Sequence, residues 1–149
     1  MFKNILVPTD GSPLSDKVIK YAVDFAKDAD AKLVAISIAE PYLPLHDGMA
    51  PDPLYMEEWQ HLHDEQVFKL AHDYVQRVSD AAKAAGVSCK TMTAINFNPY
   101  EEIVNAAEKC GCDVIFMASH GRKGLNKLFL GSETQKVLAN ATVPVLVIR

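Results

Sequence analysis

Asp113-Val114-Ile115-Phe116-Met117-Ala118 runs directly into Ser119-His120-Gly121-Arg122-Lys123-Gly124-Leu125-Asn126-Lys127-Leu128-Phe129-Leu130-Gly131-Ser132-Glu133-Thr134. A short apolar run that ends in a glycine-bearing loop reads as a buried strand feeding a helix. Ser132 is expected to cap that helix, which should continue through Asn140. A helix start presents free N–H groups and the positive end of the helix dipole, and glycine at 121 and 131 lets backbone come close to a ligand. The segment therefore has the chemistry to hold a phosphate, with the Ser132 and Thr134 hydroxyls as further donors. An ordinary capped helix with no ligand accounts for the same residues. Valine at position 131 is expected to abolish phosphate binding while leaving the fold intact, because a β-branched side chain would intrude where backbone meets phosphate and would not suit the dihedrals needed there.

The same strand-to-helix pattern recurs on either side. Residues 2–7 form an apolar run stopped by Pro8 and the turn-forming Asp10-Gly11-Ser12. A helix follows, with Ser15 the expected N-cap and Val18, Ala22, Phe25 and Ala29 on one face. Residues 32–39 (KLVAISIA) are a second β-rich run, and residues 40–53 carry four prolines in an irregular loop. A long helix is predicted from Leu54 to Gly86, with a stripe through Met56, Gln60, His63, Val67, Ala71, Tyr74, Val78, Ala82 and Ala85; core or loop packing is expected for that stripe and for Trp59. Residues 87–95 read as a partly exposed edge strand, Asn98 and Pro99 open a helix that Gly111 ends, and residues 143–148 form the last strand. Alternating strands and helices predict a single-domain open five-stranded parallel sheet, Rossmann-like, with helices on both faces. In such sheets ligands bind outside the carboxyl ends of the strands, where the strand order reverses.

Composition narrows the partners. A net charge of −4 over 149 residues argues against nucleic acid, whose phosphate backbone demands clustered cations. No apolar run is long enough to span a bilayer, so no membrane partner is expected. Met1-Phe2-Lys3-Asn4 leads straight into the first strand without room for a signal core, which predicts a cytoplasmic protein. Cys89, Cys110 and Cys112 are odd in number and lack a Cys-x-x-Cys spacing, so packed thiols are expected rather than a disulfide or zinc site. His61 and His63, two apart on a helix, point to different faces and predict no metal site. Ser119-His120 lacks the first glycine of a nucleophile elbow, and adjacent Ser and His side chains are not expected to meet. No P-loop pattern occurs.

Ala118-Ser119-His120-Gly121, nine intervening residues and then Gly131-Ser132 is similar to the Gly-x2-Gly-x9-Gly-(Ser/Thr) motif of the universal stress protein family, with Ala118 in place of the first glycine. Ile5-Leu6-Val7-Pro8-Thr9-Asp10-Gly11-Ser12 resembles the family's opening and Val143-Pro144-Val145-Leu146-Val147-Ile148 its ending. The resemblance covers the whole chain and implies an ATP-binding stress-response regulator, with AMP and ADP as alternative ligands and Mg²⁺ a candidate companion. It places Pro8, Thr9 and Asp10 beside the adenosine, Ile38 on the adenine, and Met117 and Ala118 flanking the nucleoside. Gly121 falls by the ribose and phosphates, and Gly131, Ser132, Glu133 and Thr134 on the phosphate chain. Arg122 and Lys123 are further candidates, with solvated loop charges as the alternative.

No catalytic residue is assigned: no general base stands beside a water-positioning group, so hydrolysis of ATP is expected to be slow at most. A dimeric interaction module with a vestigial site is the alternative reading. The resemblance also implies a homodimer through the strand Val143 to Ile148, and Pro144 predicts that the N–H groups of Leu146 and Ile148 face the open edge.

Overall fold

The computed structural model describes residues 1–43, 52–122 and 129–149. Five strands, β1 (Asn4–Pro8), β2 (Lys32–Ala39), β3 (Cys89–Ile95), β4 (Val114–Ala118) and β5 (Val145–Ile148), alternate with four helices, α1 (Pro13–Ala29), α2 (Pro53–Ala84), α3 (Pro99–Lys109) and α4 (Ser132–Asn140). All pairings are parallel, in the order β3-β2-β1-β4-β5. The predicted open α/β sheet is therefore the fold of the protein.

Side-chain alternation along the strands builds two cores. Ile5, Val7, Leu33, Ala35, Val114 and Phe116 face Val18, Ala22 and Ala26 of α1 and Val75, Val78 and Ala82 of α2. Leu6, Val34, Ile36, Ile115 and Met117 face Ile103, Ala106 and Ala107 of α3 and Val137 of α4. Because β1 and β4 are buried on both faces, they read as continuous apolar runs instead of alternating ones. The chain winds outward from β1 to β3, returns to β4 beside β1 and winds outward again to β5. The order therefore reverses between β1 and β4, and their carboxyl ends open a crevice.

Several local expectations need correction. Ser12, not Ser15, caps α1: its hydroxyl accepts the Ser15 N–H at 3.2 Å, and Pro13 occupies the first turn. Gly131 is the N-cap residue of α4 and Ser132 its first residue, with no side-chain cap bond. Gly131 has φ −60° and ψ 152°, a conformation open to any residue, so the dihedral argument against valine there fails. The stripe on α2 is a core stripe only from Ala71 onward, and Trp59 is 62% exposed. The reason is length: 32 residues extend about 48 Å, nearly twice the span of β2, so the first turns project beyond the carboxyl edge of the sheet.

The register of β5 is also opposite to the expectation. Ile115 N–H donates to the Pro144 carbonyl (3.0 Å) and Ser119 N–H to the Ile148 carbonyl (2.8 Å). Groups of alternate residues point the same way along a strand, so Leu146 and Ile148 bond inward to β4, while the N–H groups of Val145 and Val147 face the open edge. Pro144 precedes the strand, and its missing N–H lies on the β4 side.

Candidate functional site

A cleft of about 500 Å³ opens at the carboxyl ends of β1, β2 and β4. Twelve of the thirteen residues singled out from the sequence line it: Pro8, Thr9 and Asp10 after β1, Ile38 on β2, Met117 and Ala118 on β4, Gly121 and Arg122 in the next loop, and Gly131, Ser132, Glu133 and Thr134 at the start of α4. Lys123 lies outside the described residues. The far wall comes from α2, through Val67, Leu70, Ala71 and Tyr74, and from Pro99 and Ile103 of α3.

Asp10 ties two of these loops together. Its Oδ1 accepts the Ser12 N–H (3.0 Å) and the Ser15 hydroxyl (2.8 Å), and its Oδ2 accepts the Arg122 N–H (2.9 Å). Burial pushes the Asp10 carboxyl up, but the hydrogen bonds from Ser12, Ser15 and Arg122 outweigh it and hold the group below its usual range. A β-carbon at Gly121 would run into Asp10 Oδ2, so any other residue there must displace the carboxylate from this bridge. Gly11, at φ +73°, sets its backbone against the Tyr74 ring, which leaves no space for a side chain.

Tyr74 also receives Arg122. The guanidinium lies 4.7 Å from the ring centroid, and its Nη2 donates to the Tyr74 hydroxyl. Tyr74 belongs to the helical core stripe, and nothing in the sequence separated a cleft-lining tyrosine from a packed one.

The α4 residues divide by role. The Thr134 hydroxyl is buried and donates to the Ala118 carbonyl (3.0 Å), joining α4 to the end of β4. The Glu133 carboxylate accepts the Tyr100 N–H at the start of α3 (2.9 Å) and pairs with Lys136 (2.9 Å). Ser132 is exposed to the cleft, and the Gly131 N–H donates to the Ser119 carbonyl (2.7 Å). The side chains of Glu133 and Thr134 thus hold the framework, and the helix start is left to backbone N–H groups and Ser132.

His120, weighed in the sequence only as a partner for Ser119, lines the cleft. Its Nδ1 lies 3.1 Å from Ser119 Oγ, so the two adjacent side chains do meet, contrary to expectation. Ser119 is only 4% exposed and lies behind the cleft lining, so the pair does not present a nucleophile. All three cysteines are free thiols, and burial, followed by neighbouring Cys110 and Asp113, pushes the Cys112 thiol up to about 11. Among the described residues no group of three or more His, Cys, Asp or Glu is placed to hold a metal ion.

The sequence model of the Universal stress protein family matches residues 1–149. The chain belongs to the universal stress protein family. Universal stress protein YxiE of Bacillus subtilis is 32% identical over 152 residues, covering 100% of both chains. The solved structure of MJ0577, a universal stress protein of Methanocaldococcus jannaschii, superposes with a TM-score of 0.83 at 26% identity, covering 99% of this chain and 96% of that one. The universal stress protein of Archaeoglobus fulgidus in complex with dAMP matches at a TM-score of 0.68 and 17% identity, covering 99% and 98%, a likeness of fold. Among the described residues no helix of this universal stress protein is long and apolar enough to cross a membrane.

Proposed function

We propose that the cleft holds an adenine nucleotide, ATP foremost, and that its occupancy regulates what this stress protein offers to partners. The observation that carries this reading is the convergence of three loops on one crevice at the β1/β4 switch point, with Asp10 already fixed by three hydrogen bonds and a helix start opposite it. In this reading Asp10, Thr9 and Pro8 border the nucleoside, Ile38 and Met117 give it apolar surface, and the first turn of α4 with Ser132 receives phosphate. Ala118 places one methyl group where the family motif has none. The dAMP of the Archaeoglobus fulgidus protein supports the reading to this extent: the shared fold has room for an adenine nucleotide.

Arg122 is the phosphate cation of this site, leaving Tyr74 when a charged ligand enters. Mg²⁺, if it accompanies ATP, would supply charge neutralisation, with no cluster of protein ligands among the described residues to hold it. Hydrolysis is slow, because a carboxylate held below its usual range by several donors is a poor base. Equilibrium dialysis with ATP and AMP tests the reading. Both should bind saturably, and Arg122→Ala should weaken ATP about tenfold but AMP much less, with the difference shrinking as salt rises. Equal loss for both would remove Arg122 from the phosphate site, and no saturable binding would remove the nucleotide.

The same proposal includes a homodimer formed by β5 of two copies. β5 is an edge strand whose outward N–H groups at Val145 and Val147 lack a strand neighbour among the described residues, and Leu146 beside them is 46% exposed. Closed two-fold pairing satisfies that edge.

A further inference from the structure

The projecting half of α2 carries a second apolar stripe. Tyr55, Trp59 and Leu62 recur at i, i+4 and i+7 and are 63%, 62% and 48% exposed. They lie on average about 150° round the helix from Ala71, Tyr74, Val75, Val78 and Ala82, which face the sheet. Among the described residues these three belong neither to the core nor to the cleft lining. Single exposed apolar residues need no explanation, but two aromatics and a leucine aligned on one helix face form a surface fit for another helix.

Charge selects the occupant. Between residues 53 and 70 stand Glu57, Glu58, Asp64 and Glu65 against Lys69 alone, a net −3 within a chain of net −4. Glu58 and Glu65, seven residues apart, border one edge of the stripe, and His61 lies 3.2 Å from Glu65. In an antiparallel pairing of two such helices each edge meets its own copy, which would set Glu58 and Glu65 against the same carboxylates. A second copy is therefore disfavoured, and an anionic lipid surface is repelled for the same reason. A helix with apolar residues on one face and Lys or Arg along its border satisfies both the stripe and its rim.

We infer that the Tyr55–Leu62 face of α2 is a docking surface for a basic amphipathic helix of a partner protein. The helix that carries this surface also walls the nucleotide cleft through Val67, Leu70 and Tyr74. The docking itself does not depend on the nucleotide.

Trp59 is the sole tryptophan, so its emission reports the face directly. The probe is an 18-residue peptide of Leu and Lys at helical spacing, with a Leu/Glu peptide and phosphatidylcholine and phosphatidylserine vesicles as comparators. The Leu/Lys peptide should shift Trp59 emission to shorter wavelength saturably. Leu62→Glu, and separately the pair Glu58→Lys with Glu65→Lys, should each weaken it at least tenfold without changing the melting temperature. Equal binding of both peptides, unchanged affinity in either variant, or an equal shift with vesicles would overturn the proposal. So would a dimer in sedimentation that Leu62→Glu alone dissociates.

Discussion

Asp10 concentrates the site's electrostatics in one side chain. Its folded-state proton affinity is lowered, so the stabilisation from its hydrogen bonds is complete above the unfolded-state value of about 3.9 and is lost as pH falls through the lower folded-state value. Thermal melts between pH 7 and pH 2 should therefore show a steeper loss of stability below about pH 4 for the native protein than for Asp10→Asn; parallel curves would mean that the carboxylate is not held as described. At this scale the sequence was unevenly legible. Gly121 and Gly131 stood out as glycines at both ends of a strand-to-helix loop, whereas Asp10 read as a turn residue that only the resemblance to the family raised to a site residue. Tyr74 and His120 did not stand out, since an aromatic on a helical core stripe and a histidine beside a serine look the same whether or not they face a cleft. The roles of Glu133 and Thr134 depended on neighbours distant in sequence, Tyr100 and Ala118, that only folding brings within 3.0 Å.

Among the elements, strands and helices were legible from apolar runs and turn residues, and their ends were less so. Ser12 and Ser15 are equally good caps by composition, and Pro13 in the first turn decides between them. The parity of β5 differs from the expectation because Pro144 sits one residue before the strand, where its missing N–H does not fix which groups face the edge. The observed parity sets the test of the dimer. Val147→Pro removes an outward N–H and should yield a folded monomer in sedimentation. Leu146→Pro removes a bond to β4 and should lower the melting temperature, by several degrees for a loss of about 1–3 kcal/mol. If Val147→Pro remains dimeric, the two copies do not pair through this edge. α2 shows how helix length creates function: its last turns complete a core, its middle turns from Val67 to Tyr74 wall the cleft, and its first turns leave an apolar face.

For the whole molecule, the reversal of strand order between β1 and β4 decides where everything else can happen. It parts the two loops that would otherwise close over each other, and Asp10 then bridges them through the Arg122 N–H. Closure depends on Gly121, where any side chain would meet the Asp10 carboxylate. Gly131 is less restrictive: a β-carbon there would lie 3.2 Å from His120 Cα and 3.4 Å from the Ser119 carbonyl, a tight fit that small shifts can relieve. Gly121→Ala is consequently the sharper probe of a nucleotide site built on this bridge. The most direct measurement is isothermal titration of ATP into the native protein and into Gly121→Ala. One ATP per chain should bind the native protein, and the variant should bind at least about tenfold more weakly while still melting cooperatively well above the temperature of the titration. Undiminished binding by Gly121→Ala, or none by the native protein, would contradict an adenine nucleotide at the β1/β4 cleft.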